Sequence, residues 1–173
     1  MGIIKLFKPQ DFFTFCNTAC GFSAILLSMH NEFSIAALLL LVAVIMDYMD
    51  GKIGRILGKP HPFGRELDSL ADTITFGVAS AVFGYCYIEF TNGGELPAYA
   101  MVLFFIFTCC GIARLARFNI TNLNGYFQGM PITMNGIIVP AIYFAGMPVL
   151  YFPFVYLLSG IVMISELKFK KIK

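Results

Sequence analysis

The sequence predicts an all-α membrane protein of six transmembrane helices, and three observations carry that prediction. Of its 173 residues, 58% are hydrophobic and 13% charged, a balance too apolar for an ordinary soluble domain. Six mainly apolar runs, at 12–29, 33–57, 66–88, 97–118, 132–147 and 149–165, alternate with short polar segments, as membrane spans do. With the N-terminus placed inside, every Lys and Arg falls in 1–11, 51–66, 113–131 or 166–173, all on one side. The opposite loops hold Glu32, Glu89 and Glu95 and no basic residue. This is the positive-inside asymmetry of a membrane protein whose basic ends face the cytoplasm.

Each element follows from local features. Residues 1–7, beside Lys8, are short and apolar, as in a segment lying on the membrane surface. The first span is uncharged and ends in a polar turn containing His30 and Glu32, with no small-residue cleavage site, so no signal peptide is expected. The second is apolar over 33–46 and runs directly into Asp47. Those residues cover about 21 Å of a hydrocarbon core about 30 Å thick, which keeps Asp47 at the inner edge of the bilayer. Gly58, Pro60 and Pro62 break the helix and turn the chain, and the third span begins near Glu66. A loop carrying Gly93 and Gly94 leads to the fourth span, which ends with Arg114, Arg117 and Asn119. The fifth is expected to bend at Asn135, Gly136 and Pro140. The sixth follows a tight turn at Gly146 and Pro148 and ends before a lysine-rich tail.

The length allows one domain, 1–173. The five cysteines, Cys16, Cys20, Cys86, Cys109 and Cys110, all lie in apolar runs and read as small packing residues, not as a disulfide framework. His30 and His61 have no partner in sequence and read as structural or solvated. The net charge of +2 says little about partners; membrane lipids are expected and nucleic acid is not.

The stretch 47–72 organises the chain. It reads Asp47-x-x-Asp50-Gly51-x-x-Gly54-Arg55, eight residues, then Gly64-x-x-x-Asp68-x-x-x-Asp72. Spacings of three and four put each acidic pair on one helix face, and the intervening turn sets the pairs against each other in an αα-hairpin. Four carboxylates converging beside apolar spans repel one another unless positive charge sits among them. Clustered Asp oxygens suit hard divalent cations, Mg²⁺ or Mn²⁺, and ionisable groups inside spans are functional by default. Two such ions side by side clamp a phosphoryl group. Gly51, Gly54, Gly58 and Gly64 serve the turn or a close approach of phosphate to backbone. Arg55 and Arg65 add charge against phosphate oxygens.

The same residues resemble the signature of the CDP-alcohol phosphatidyltransferase family: Asp47, Asp50, Gly51, Arg55, Gly64, Asp68 and Asp72, with the eight-residue gap intact. One departure is Gly54, where the family more often has Ala. The resemblance implies a homodimer of six-helix subunits. It also implies two divalent cations held by Asp47, Asp50, Asp68 and Asp72, with Asp72 doubling as the general base. Gly51 and Arg55, with Gly64, would receive the nucleotide and phosphates of a CDP-linked lipid, CDP-diacylglycerol. Three further stretches resemble the integral-membrane phosphatidylserine synthases of that family: Thr14-x-x-Asn17-x-x-x-Gly21, Arg114-x-x-Arg117-Phe118-Asn119, and Tyr126-x-x-Gly129-x-Pro131. They imply L-serine as the acceptor alcohol.

Serine's carboxylate calls for a guanidinium, and Arg114 and Arg117, with Asn119, are the candidates on the aspartates' side of the membrane. Arg117 is the first choice. The two arginines also read as positive-inside anchors snorkelling to the headgroups. Asn17, Thr75, Ser80 and Thr133 sit in spans. All four are candidates to line the nucleotide or serine cavity, Asn17 and Ser80 on the CDP-lipid side, and each also suits a helix-to-helix hydrogen bond. Two other readings stay open. One is the same chemistry on glycerol 3-phosphate or inositol phosphate, and the other is a divalent-cation transporter that uses the aspartates as its ion site.

Overall fold

The computed structural model describes residues 2, 6–56, 62–95, 97–121 and 126–170. Among them, Asp11–Met29 (α1) and Phe33–Ile56 (α2) pack along one another. Pro62–Asp72 (α3), a π-helical turn Thr73–Ala79 and Ser80–Thr91 (α4) form one continuous helix of 30 residues. Ala98–Ile120 (α5) follows. A 3-10 turn Ile132–Met134 then opens Asn135–Phe144 (α6), and a second, Val149–Tyr151, opens Phe152–Ile164 (α7), which packs along α5.

Four helices are long and apolar enough to cross a membrane: Asp11–Met29, Phe33–Ile56, Pro62–Thr91 and Ala98–Ile120. Ile132–Phe144 and Val149–Ile164 are apolar but shorter, about 20 and 24 Å at 1.5 Å per residue. The chain thus has the mainly helical make-up of an integral membrane protein, with four helices long enough to span and two shorter apolar ones. Phe12, Phe22, Leu38, Ile45, Phe105 and Leu158 stay exposed on the outside of the bundle, where lipid would meet them.

The third helix starts at Pro62 and not near Glu66. A proline is tolerated in the first helical turn, where its missing N–H has no partner to lose, so Pro62 opens the helix it was expected to break. Gly58, Pro60 and His61 lie outside the described residues. One pairing has no counterpart in the sequence reading: Tyr126–Gln128 (β1) and Lys168–Lys170 (β2) run antiparallel, with Phe127 opposite Phe169. Gly129 sits at φ +74° beside the Met163 carbonyl, and its N–H donates to Leu167 O at 2.8 Å. Only glycine takes that conformation without strain.

The two ends of the bundle differ. At the start of α2, Phe33 packs against Phe83 and Tyr87 of α4, and these meet Tyr143 of α6 and Phe152 of α7. At the other end of α2 lie Asp47 and Asp50, and the interior becomes polar.

Candidate active site

Helix α1 builds the polar wall. Its buried residues Asp11, Thr14, Asn17, Gly21, Ala24 and Ser28 recur every three or four positions and so share one face. The Thr14 hydroxyl donates to Asp50. Asn17 Nδ2 donates to Asp72 Oδ1 at 3.2 Å, and Thr75 Oγ1 donates to the Asn17 carbonyl at 3.2 Å. A side chain at Gly21 would drive its Cβ to 2.8 Å from Thr75 Cα, so the glycine is what lets α1 lie against the π-helical turn. That turn begins immediately after Asp72, and π-turns of this kind are frequent at functional sites. Within it Thr75, Phe76, Gly77 and Ala79 are all buried.

The aspartates face a cavity of about 570 Å³. It is lined by Gln10, by Asp47, Tyr48, Asp50, Gly51, Gly54 and Arg55 of α2, and by Gly64, Arg65, Asp68 and Asp72 of α3. Arg114 and Phe118 of α5, with Pro131 and Thr133, complete it. One carboxylate oxygen from each of Asp47, Asp68 and Asp72 lies within 4.8 Å of the others. Asp50 is close enough to act electrostatically on Asp47 and Asp68. Asp50 and Asp72 are buried, Asp47 and Asp68 half-buried. Among the described residues the lining carries four carboxylates against three arginines, a formal excess of negative charge.

Hard oxygen donors, clustered closely enough to share an ion and over-charged as a group, fit divalent cations. Asp47, Asp50, Asp68 and Asp72 are the residues that would hold them. Arg114 is 94% buried, with its guanidinium 5.2 Å from the centre of the Phe118 ring, and its Nε has no hydrogen-bond partner among the described residues. Its charge acts on Asp47 and Asp72.

The residues expected at the site divide. Asp47, Asp50, Asp68, Asp72, Gly51, Arg55, Gly64 and Arg114 share the cavity wall. Asn17 is fully buried and reaches the site through Asp72. Ser80 does not line the cavity. It is buried on α4, and its carbonyl accepts from the Tyr156 hydroxyl at 2.6 Å.

Arg117, the first choice for serine's carboxylate, is spent on backbone. Its guanidinium donates to the carbonyls of Gln128, Met163, Ile164 and Ser165 at 3.0–3.2 Å. It therefore ties α5 to the end of α7. Asn119 bridges Ser69 and Glu66 of α3, each at 3.2 Å. The sequence reading gave no role to Gln10 or to the Thr14 hydroxyl. A polar residue every three or four positions in an otherwise apolar span was the available signal for Thr14 and Asn17.

Carboxylates and arginines gathered in one cavity of an apolar helical bundle fit a class: a membrane-embedded enzyme handling a phosphorylated lipid. Residues 10–170 match the CDP-alcohol phosphatidyltransferase family, and the chain belongs to that family of phosphatidyltransferases. A CDP-diacylglycerol–serine O-phosphatidyltransferase of Methanocaldococcus jannaschii is 35% identical over 170 residues, 98% of this chain and 77% of the relative. An archaetidylserine synthase of Methanothermobacter thermautotrophicus is 33% identical over 175 residues, 98% and 72% of the two chains. A CDP-diacylglycerol–serine O-phosphatidyltransferase of Bacillus subtilis is 33% identical over 161 residues, 92% and 88%.

Proposed function

We propose that this enzyme transfers the phosphatidyl group of CDP-diacylglycerol to the hydroxyl of L-serine, giving phosphatidylserine and CMP. The carrying observation is one cavity that gathers three carboxylates within 4.8 Å of each other together with the buried Arg114. Similarity to relatives named for serine transfer supports the acceptor.

Asp47, Asp50, Asp68 and Asp72 would hold two divalent cations, Mg²⁺ or Mn²⁺, which would supply positive charge against the diphosphate of the donor. Gly51 and Gly64 leave room for the phosphates, and Arg55 adds charge against them. Arg114 takes the serine carboxylate, because its guanidinium stays on the cavity wall while that of Arg117 is committed to carbonyls. Asp72, oriented by Asn17, accepts the proton of the serine hydroxyl. The serine oxygen then bonds to the lipid-side phosphorus, the bond to the bridging oxygen breaks, and CMP leaves with that electron pair. The site opens to the cytoplasm in a protein of six spans, acting as a homodimer.

The test is CMP release from CDP-diacylglycerol by purified protein with serine, glycerol 3-phosphate or inositol phosphate in turn, each with and without Mg²⁺ or Mn²⁺. Release that requires both serine and metal is expected. Equal release with the phosphorylated alcohols overturns the acceptor. Metal flux into proteoliposomes without lipid product overturns the reaction.

A further inference from the structure

We infer that Thr133 is a specificity-determining residue for the acceptor, its hydroxyl donating to the serine carboxylate that Arg114 holds. The inference rests on the reading of the cavity as a serine phosphatidyltransferase site. The chain has eight threonines. Five donate to the carbonyl four residues earlier, Thr14 donates to Asp50, and Thr75 donates to the Asn17 carbonyl. Thr133 is the exception. Among the described residues its hydroxyl has no acceptor, and it is the threonine that lines the cavity. Nor is that hydroxyl sealed off. Among the described residues, the side-chain atoms closed to solvent without a partner are Gln10 Oε1, Asn17 Oδ1, the Ser80 hydroxyl and Arg114 Nε. Thr133 Oγ1 and the terminal nitrogens of Arg114 are thus left open to the contents of the cavity.

Packing fixes where the hydroxyl stands. Ile132 is fully buried, and its Cδ1 wedges between the π-helical turn and α5. A Cβ added at Gly77 would stand 3.7 Å from it, and one at Gly111 would stand at 2.7 Å. Gly77 belongs to the turn that follows Asp72, and Gly111 lies three residues before Arg114 on the same buried face of α5. Asn135 locks the segment from within: it donates to the Ile132 carbonyl at 2.9 Å and accepts from the Ser159 hydroxyl of α7. Thr133, the next residue after the wedge, is thereby set beside the elements that carry Asp72 and Arg114. The residues assigned to the donor, Gly51, Arg55 and Gly64, lie on α2 and at the start of α3.

Serine offers this hydroxyl a carboxylate or an ammonium. Thr133 stands in the first turn of the helical run Ile132–Phe144. A first turn leaves N–H groups without acceptors in their own helix and carries the positive end of the helix dipole. That end, together with the charge of Arg114, favours the anion and repels the cation. A carboxylate only accepts hydrogen bonds, and the threonine hydroxyl can donate one.

The experiment measures the serine and CDP-diacylglycerol KM of wild type, Thr133→Val, Thr133→Ala and Thr133→Ser, with thermal transitions to verify folding. Valine keeps the shape of threonine and drops the hydroxyl. Thr133→Val should raise the serine KM about tenfold, as for a lost hydrogen bond to a charged group, with the donor KM and kcat within about twofold. Thr133→Ala should show the same loss if the valine variant does not fold, and Thr133→Ser should restore most of the affinity. In an Arg114→Ala background the Thr133→Val change should cost less than about threefold, because the two residues act on one carboxylate. Ethanolamine, which lacks the carboxylate, should compete with serine equally in wild type and Thr133→Val.

A serine KM that stays in place, as for a hydroxyl that meets only water, overturns the inference. So does a donor KM that rises in step with it, or a full effect that persists in Arg114→Ala. Weaker competition by ethanolamine in Thr133→Val would move the hydrogen bond to the ammonium and also overturns it. Wild type that releases no CMP with serine overturns the reading of the site, and this inference with it. An active wild type matched by Thr133→Val overturns this inference alone.

Discussion

The two ends of the bundle use the same helices and hold them together by opposite means. At the start of α2, the rings of Phe33, Phe83, Tyr87, Tyr143 and Phe152 pack at centroid separations of 5.1–5.8 Å, mostly edge to face. Each such pair adds about 0.5–1.5 kcal/mol beyond the area it buries. At the end of α2, the helices meet through carboxylates that repel one another, restrained by hydrogen bonds that include those from Thr14 and Asn17 and by the charge of Arg114. Cohesion is concentrated at the aromatic end, and it sustains a cluster at the other end that works against folding. This division of stability and activity is common at catalytic sites.

Substitutions sharpen or break that contrast. Asp72→Asn should lower CMP release roughly 10³-fold, within the range of a lost general base. Its thermal transition should stay equal or rise, because one repelling charge is gone; a lower transition would mean that Asp72 holds the fold together. Phe83→Ala, at the aromatic end, should cost about 3 kcal/mol of stability while leaving the serine KM unchanged. A shifted KM would couple the two ends.

Arg114→Ala should raise the serine KM roughly 10- to 100-fold, as expected for a lost charged hydrogen bond of about 1.5–3 kcal/mol, with a smaller effect on the donor. Arg117→Ala should lower the thermal transition and leave the serine KM in place. The reverse pattern would return the carboxylate to Arg117. Thr14→Val removes the hydroxyl on Asp50 and should reduce turnover about tenfold without moving the thermal transition by more than a few degrees.

The long helices were legible because hydropathy and the caging of charge at their ends are local signals. α1 and α2 fall within one residue of the runs read from the sequence, and α5 extends two residues past its own. The convergence of Asp47, Asp50, Asp68 and Asp72 was legible from their spacing about a turn. The rest was hidden for identifiable reasons. Arg117 finds its acceptors on backbone carbonyls 11 to 48 positions away, and no side-chain pattern announces a carbonyl. Asn119, a candidate for serine because it neighbours the arginines, meets Glu66 and Ser69 on α3, partners that no local pattern announces. Strands of three residues such as β1 and β2 carry no periodicity to detect. The π-helical turn after Asp72 depends on packing against Gly21 and Asn17, more than 50 residues earlier.

The central claim is that the four aspartates hold a pair of divalent cations, and manganese titration of the detergent-solubilised protein, followed by paramagnetic resonance, tests it most directly. Wild type is predicted to bind two Mn²⁺ per chain with the spectral coupling of neighbouring ions, and Asp68→Asn to lose that coupled signal. Binding that is no stronger in wild type than in Asp68→Asn, or two uncoupled ions, would contradict the claim.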